Sequence, residues 1–286
     1  MLVIQKIALQ EVFAYDHIRY NTNNIGDRPT DYFAAINANN TKFWIAPNIP
    51  RITFTIPQWM YDASYISKQT GKFSSLYAEE LDEFVSNFTP QSTPLDGITP
   101  YFIRAENVSL KFGQYGKGPY TNLRQILESA MSCIAGHTPI CTPDTTPTLT
   151  LYFIPWITIL PHQEYRAFVY KGHITAISQQ NMYSDVWKHI ANPDDVLQQH
   201  IHTILYHFPT VIQNIVTWTD TFVYDIAILN DTTPHFIEPN TFGAGYASGS
   251  SLFEWVADKE ILTPNILPPE QVYVRIACDN ISTTEN

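Results

Sequence analysis

Two apolar segments separated by a short polar turn constrain the fold more than any other part of the chain. The segments TFVYDIAIL and HFIEPN flank the sequence NDTTP. Aromatic and β-branched residues on both sides of such a turn are typical of a β-hairpin. A hairpin that is symmetric about this turn places Asp225 opposite Glu238, and Ile228 opposite His235. The pattern therefore predicts two carboxylates facing each other across neighbouring strands.

These two carboxylates and a nearby amide form a candidate metal site. Glu238 and Asn240 share one face of their strand because successive strand side chains alternate. Two acids directly opposite each other destabilise a sheet, and burying them is costly without a partner. A divalent cation would compensate, and Asp225, Glu238 and Asn240 supply the hard oxygens that Mg²⁺ or Mn²⁺ prefers. An exposed sheet face, with both acids pointing into water, is an equally simple interpretation.

A second candidate site is the stretch YFIRAENVSLKFGQYGKG, residues 101–118. It places Arg104, Lys111 and Lys117 in a strand and a glycine-containing loop, and the glycines favour a mobile loop. Such a loop can cover phosphates through backbone N–H groups and a lysine ammonium. It matches neither GxGxxG nor a Walker loop, so a solvated surface loop is the alternative.

The segment EYRAFVYKGHITAIS predicts another hairpin, with its turn at Lys171-Gly172. Glu164, Arg166 and Phe168 share one face of its first strand. An arginine two positions from a glutamate in an apolar strand forms either a structural ion pair or an anion contact.

Helical spacing recurs in three places: residues 74–88, a segment beginning after Thr121 as the N-terminal cap, and a segment beginning after Asn192. The buried stripe of the third helix is predicted to consist of Leu197, Ile201, Ile204, Leu205 and Phe208. Its histidines, His200, His202 and His207, are expected to face solvent, because His200 and His202 diverge around the helix and cannot share a metal.

Composition excludes some classes of partner. The chain of 286 residues carries a net charge of -11 with only 16 Lys plus Arg, so binding to a nucleic-acid backbone is not expected. A single nucleotide is compatible with this charge, because a bound metal supplies local positive charge. The sequence also lacks a bilayer-length apolar segment and an N-terminal signal peptide. Three cysteines without CxxC spacing suggest small buried thiols, so we expect a soluble cytoplasmic protein with no membrane partner.

Taken together and in this order, three stretches resemble the ATP-grasp superfamily. They are YFIRAENVSLKFG, QEYRAFVYKGHITAISQQ and FVYDIAILNDTTPHFIEPNTFGAGYASGSSLFEW. Within the superfamily they are most similar to the clade named for an arginine-to-lysine exchange, and to a eukaryotic cell-division-cycle chaperone that assembles translation initiation factor 2. The resemblance covers most of residues 100–256 and is faint before residue 100.

The resemblance implies an α+β ATP-grasp fold, with ATP and Mg²⁺ (or Mn²⁺) between two α+β lobes. Residues 1–99 would form a pre-grasp-like N-terminal lobe, and residues 100–286 the nucleotide-binding region. The implied metal ligands are Asp225, Glu238 and Asn240. The implied nucleotide contacts are Arg104, Lys111, Pro155, Trp156, Ile157 and Arg166. Among these, Arg166 and Lys111 would be the catalytic residues.

Three functions are compatible with this resemblance. The favoured one is an ATP-dependent carboxylate-amine or carboxylate-thiol ligase that acts through an acyl phosphate on an unknown carboxylate or protein acceptor. The alternative is a chaperone or protein-binding module that holds ATP without turning over a small substrate. A form that has lost nucleotide binding is the third, because Ile154 stands where the chaperone has a basic residue.

Overall fold

The computed structural model describes residues 1–14, 28–88, 94–215, 219–246 and 248–279. The strands, in chain order, are β1 (Leu2–Ala8), β2 (Arg51–Thr55), β3 (Tyr101–Arg104), β4 (Thr148–Pro155), β5 (Glu164–Tyr170), β6 (His173–Gln179), β7 (Phe222–Leu229), β8 (Thr233–Asn240) and β9 (Val272–Cys278). The helices are α1 (Leu9–Ala14), α2 (Tyr32–Ala38), α3 (Thr41–Trp44), α4 (Gln58–Ser67), α5 (Ala78–Asn87), α6 (Leu123–Ser132), α7 (Pro193–Ile215) and α8 (Lys259–Leu262). The predicted α+β class is confirmed.

Two compact units divide the chain. The first unit combines Met1–Asn39 with Ile159–Asn286, and the second is Asn40–Thr158. These units do not follow the predicted boundary between residues 99 and 100, which lies inside the second unit. The physical reason is strand pairing, because β2 and β3 come from opposite sides of that boundary and both pair with β4.

The first unit is built on a six-stranded sheet in the order β1-β9-β6-β5-β7-β8. Helix α7 packs on one face of this sheet through Leu197, Ile201 and Ile204, which are buried as predicted. Its start is also as predicted, with Pro193 at the first helical position and two acids in the first turn. The opposite face packs against Phe253 and its neighbours. Within the described residues, no helix has both the length and the apolar character needed to cross a membrane.

One histidine of α7 is buried, contrary to the prediction that all three face solvent. His200 is 0% exposed, because position 200 continues the stripe of Leu197, Ile201 and Ile204. Its Nδ1 lies 2.8 Å from the Tyr165 hydroxyl, and its Nε2 lies 3.0 Å from the Asp231 Oδ1. The imidazole therefore connects the helix to the sheet and to the turn between β7 and β8.

The hairpin of β7 and β8 confirms one predicted cross-strand pair and corrects the other. Ile228 lies opposite Pro234 rather than His235, so the turn is one residue out of the predicted register. An irregularity next to Asp225 then adds one residue to β8 and restores the pairing of Asp225 with Glu238. Without this bulge, Asp225 would lie opposite Ile237. The hairpin of β5 and β6 turns at Lys171-Gly172 as predicted, both with positive φ.

The second unit contains a three-stranded sheet in the order β2-β4-β3. Its core is formed by side chains from the sheet, α4, α5 and α6, including Ile52, Met60, Leu81, Ile103, Ile126 and Leu151. The cap of α6 is Asn122 and not the predicted Thr121, since the Asn122 side chain accepts a hydrogen bond from the Gln125 N–H at 3.0 Å. Of the cysteines, Cys133 and Cys278 are buried as predicted, whereas Cys141 is exposed.

Candidate functional site

A buried ion pair lies at the centre of the sheet in the first unit. The Arg166 Nε and Nη2 groups donate to the two carboxylate oxygens of Asp225, each at 2.8 Å. Arg166 is 8% exposed and Asp225 2% exposed. This two-point geometry fixes the plane of the carboxylate as well as its position. Because Asp225 is buried, its interpretation as part of an exposed sheet face is wrong.

Strand pairing explains how the sequence brings these two groups together. Strand β5 lies between β6 and β7, and Arg166 is directly opposite Asp225 in the antiparallel register. The side chains of directly opposite residues project from the same face of a sheet. Sequence analysis predicted the two strands, but it did not predict that β5 and β7 are neighbours.

Two further groups complete the surroundings of the ion pair. The Arg166 Nη1 donates to the carbonyl oxygen of Gly249 at 2.7 Å. The Asn240 Nδ2 donates to the Asp225 Oδ2 at 3.3 Å. With its amide nitrogen turned toward Asp225, Asn240 presents its oxygen on the other side. Gly249 was not predicted, because its contact is made by a backbone carbonyl and not by a side chain. The only sequence signal for this contact is the glycine- and serine-rich run around residue 249.

Glu238 lies opposite Asp225 on β8 and is half-buried. Its charge acts on Arg166. Burial lowers the pKa of the guanidinium, but Asp225 first, and then Glu238 and Glu164, outweigh that effect and raise the pKa of Arg166 above its usual value. The arginine is therefore charged throughout the range in which proteins fold.

The donor set of this cluster suits a hard divalent cation. Asp225 and Glu238 contribute carboxylates from facing strands. The Asn240 amide directs its nitrogen at Asp225, so it would have to turn its oxygen inward to act as a third ligand. Hydrogen bonds from Arg166 leave further lone pairs on the Asp225 oxygens. Among the residues that the structure describes, no group of three or more His, Cys, Asp or Glu side chains is placed to bind a metal ion. A metal here would need the amide oxygen as well as oxygens from another ligand.

The predicted phosphate-binding cations belong to the second unit. Arg104, at the end of β3, is 4% exposed. Its Nε lies 3.4 Å from the Thr41 hydroxyl, and its guanidinium lies 5.1 Å from the centre of the Trp44 ring. Lys111 is exposed in a single 3₁₀ turn, Leu110–Phe112. Arg104 pairs with Ser109 in an antiparallel bridge, and Lys111 follows Ser109 by two residues. Arg104 and Lys111 therefore belong to one short stretch of the chain.

The other predicted nucleotide contacts, Pro155, Trp156 and Ile157, also belong to the second unit. Strand β4 ends at Pro155, and the Trp156 N–H donates to the Pro100 carbonyl oxygen at 3.1 Å. Trp156 and Ile157 are both half-buried. Ile154 lies opposite Phe102 within the sheet. The predicted site residues thus fall into two groups. One group lies around Arg166 and Asp225 in the first unit, and the other lies on β3, on β4 and in the loop that carries Lys111, all in the second unit.

Comparison with known proteins agrees with this architecture. The solved structure of Cdc123 from Schizosaccharomyces pombe superposes with a TM-score of 0.56 at 13% sequence identity, over 85% of this chain and 97% of that chain. The structure of C-terminally truncated Cdc123 from the same organism gives a TM-score of 0.55 at the same identity and coverage. At this identity the likeness establishes the fold, which is of the predicted ATP-grasp type.

The family assignment comes from the sequence. No curated protein matches the chain. The model of the D123 family matches residues 126–281, more than half of the 286 residues. The matched segment includes Arg166, Asp225, Glu238 and Asn240, whereas Arg104 and Lys111 precede it. The predicted relationship to Cdc123 is thus supported by both sequence and fold, and the chain belongs to the D123 family.

Proposed function

We propose that this protein binds an adenine nucleotide together with Mg²⁺ (or Mn²⁺) and acts as a nucleotide-bound assembly factor for a protein client. Asp225, Glu238 and Asn240 would hold the metal, which would supply positive charge to the phosphates. The residues of the second unit keep the nucleotide-contacting roles that the resemblance implies: Arg104, Lys111, Pro155, Trp156 and Ile157. A chaperone of translation initiation factor 2, to which the sequence is similar, suggests the class of client.

The observation that carries this proposal is the buried Arg166–Asp225 pair with Glu238 opposite and Asn240 alongside. Burying an ion pair rarely adds stability relative to well-packed apolar side chains. Such a pair next to a second carboxylate is better explained by a function that needs oriented oxygen ligands. Hydrogen bonds from Arg166 orient the Asp225 carboxylate, as the partners of metal ligands commonly do.

The position of Arg166 favours binding over catalysis of group transfer. A ligase of the predicted type needs this arginine on the transferring phosphoryl group. Here three of its N–H groups are already directed at Asp225 and Gly249, and the side chain is buried. This geometry is more compatible with a nucleotide held as part of the structure than with rapid turnover.

Thermal unfolding with and without nucleotide tests the proposal. A ligand present at a hundred times its dissociation constant stabilises the folded state by about 2.7 kcal/mol. We expect Mg-ATP or Mg-ADP to raise Tm, and EDTA to remove most of the effect. Glu238→Gln should abolish the metal-dependent part, whereas Glu260→Gln, an exposed glutamate of the same unit, should leave it unchanged. No stabilisation of the wild type by either nucleotide would contradict nucleotide binding.

A turnover assay separates an assembly factor from a ligase. Release of phosphate from ATP is measured with the protein alone and after addition of mixed amino acids, peptides or thiols. The proposal expects no acceptor-dependent release. Stoichiometric release that appears only with one class of acceptor would establish the ligase instead.

A further inference from the structure

The loop that carries Lys111 is firmly attached to helix α6, although its glycines predicted a mobile segment. Both ends of the loop pair with β3: Arg104 bridges to Ser109, and Tyr101 exchanges two backbone hydrogen bonds with Tyr120, each at 2.9 Å. The two ends of the loop are therefore held together by the chain's own backbone hydrogen bonds.

Two serines of α6 accept hydrogen bonds from the backbone of the loop. The Gln114 N–H donates to the Ser132 Oγ at 2.9 Å, and the Tyr115 N–H donates to the Ser129 Oγ at 3.2 Å. Both serines are 0% exposed. Because buried serine hydroxyls are costly without partners, these contacts favour one position of the loop.

Tyr120 extends the attachment at the far end of the loop. Its hydroxyl donates to the Gly116 carbonyl oxygen at 2.8 Å and shares a hydrogen bond with the Ser129 Oγ at 2.9 Å. The side chain is 1% exposed, and burial raises its pKa to about 12. The phenol therefore remains protonated at neutral pH and keeps its ability to donate.

Gly113 brings the loop into direct contact with α6. A Cβ at this position would lie 2.8 Å from the Ser129 Cα and closer still to the Ser129 carbonyl oxygen. Only glycine permits this approach. On the other side of Lys111, Leu110 is 0% exposed. Lys111 thus projects from a turn that is fixed on both sides, since Leu110 is buried and Gly113 packs on α6.

We infer that the loop of residues 110–120 is already fixed in the nucleotide-free protein, and that Ser129 is a positioning residue that sets the place of Lys111 for a nucleotide polyphosphate. This inference rests on the proposed nucleotide binding and specifies how one part of it is achieved. A loop that is ordered in advance loses little conformational entropy when an anion binds. It is a fixed support for phosphate and not a lid.

Hydrogen–deuterium exchange tests the fixed loop without any nucleotide. Peptides covering residues 110–120 should exchange slowly in the free wild-type protein and change little when Mg-ATP is added. Ser129→Ala should accelerate their exchange. Ser64→Ala should not, since Ser64 is also a buried serine of the same unit but bonds to the Ile140 carbonyl oxygen, outside the loop. Fast exchange in the free protein, followed by protection with Mg-ATP, would overturn the inference.

Calorimetric titration then tests the role of Ser129 in binding. Losing the hydrogen bonds of the Ser129 hydroxyl to the Tyr115 N–H and the Tyr120 hydroxyl should weaken Mg-ATP binding by about tenfold in Ser129→Ala. Binding of adenosine, which lacks phosphates, should remain unchanged, so a general structural defect would be recognised by weakening of both. Tyr120→Phe provides a second, milder variant, and Tyr61→Phe is its control because the Tyr61 hydroxyl bonds outside the loop, to the Thr146 carbonyl.

The two proposals fail in different ways. Wild-type protein that binds no Mg-ATP contradicts the proposed function, and with it the role of Lys111. If the wild type binds Mg-ATP and Ser129→Ala binds it equally well, only the inference about the loop is overturned.

Discussion

The Arg166 guanidinium and the Asp225 carboxylate meet through two hydrogen bonds of 2.8 Å across neighbouring strands β5 and β7. Both side chains are nearly inaccessible to solvent. Each charge is therefore compensated mainly by the other, and the orientation of Asp225 depends on Arg166. This relationship links the stability of the sheet to the geometry of the candidate metal site.

A double-mutant cycle should measure this dependence. Arg166→Met leaves the Asp225 carboxylate buried without its partner, and we expect the free energy of unfolding to fall by about 3–5 kcal/mol. Asp225→Asn should cost less, because the amide still accepts a hydrogen bond. The double variant should lose clearly less than the sum of the single losses, as measured by urea denaturation without nucleotide. Strict additivity of the two losses would show that the pair is not coupled.

Most residues of this cluster could be predicted from the sequence, but the geometry that brings them together differs from the predicted geometry. The pairing of Asp225 with Glu238 followed from a symmetric hairpin, whereas the structure reaches it through a shifted turn and a compensating bulge in β8. Bulges depend on local packing and leave little trace in a single sequence. The contact between Arg166 and Asp225 depends on which strands are neighbours, and hydrophobic periodicity does not encode that order.

Local sequence patterns gave wrong predictions for two other features, the burial of His200 and the order of the loop at residues 110–120. His200 was expected to face solvent like the other histidines of α7. It is buried instead, because it lies on the buried stripe of the helix. Tyr165 and Asp231 form hydrogen bonds with its ring. The glycines of the loop at residues 110–120 suggested mobility, yet at Gly113 the missing side chain serves close packing on Ser129. In both cases the tertiary partner is distant in sequence, so the residue type alone misleads.

The burial of His200 predicts a pH-dependent loss of stability. Burial lowers the pKa of His200, and the neighbouring Asp231 opposes that effect only in part, while His162 adds to the lowering. The unfolded state therefore binds a proton more readily than the folded state, so the stabilisation is present above the ordinary histidine pKa of about 6.5 and is lost as the pH falls below it. The free energy of unfolding should decrease between pH 7 and pH 5.

Comparison of two substitutions on α7 isolates this contribution. His200→Gln should reduce the slope of stability against pH, although it lowers stability at pH 7. His202→Gln, at an exposed position of the same helix, should leave the slope unchanged. An unaltered slope in His200→Gln would assign the pH dependence to other groups, such as His162 or His235, whose pKa burial also lowers.

The three cysteines should differ strongly in reactivity. Cys141 is exposed, whereas Cys133 is 0% exposed and burial raises its pKa to about 12. Burial also raises the pKa of Cys278. Since the thiolate is the reactive form, a disulfide reagent at pH 8 should modify about one thiol quickly and the other two only after unfolding. Cys141→Ser should remove the fast phase, and a fast phase that persists would place another thiol at the surface.

Two buried tyrosines should respond in opposite ways to loss of their hydroxyl groups. The Tyr224 hydroxyl has no hydrogen-bond partner among the described residues and lies in the core between Phe208 and Phe236. An unsatisfied buried polar group costs about 1–3 kcal/mol, so Tyr224→Phe should stabilise the protein by up to about that amount. Tyr165→Phe removes the 2.8 Å hydrogen bond to His200 and should destabilise it by about 1 kcal/mol.

Urea denaturation of both tyrosine variants in the same buffer checks the predicted signs. The two substitutions remove the same atom from 0% exposed tyrosines on neighbouring strands of one sheet, so transfer free energies largely cancel and hydrogen bonding accounts for the difference. A water molecule bound to the Tyr224 hydroxyl would satisfy it, and Tyr224→Phe would then be destabilising as well. That result would contradict the prediction that the Tyr224 hydroxyl is left without a hydrogen bond.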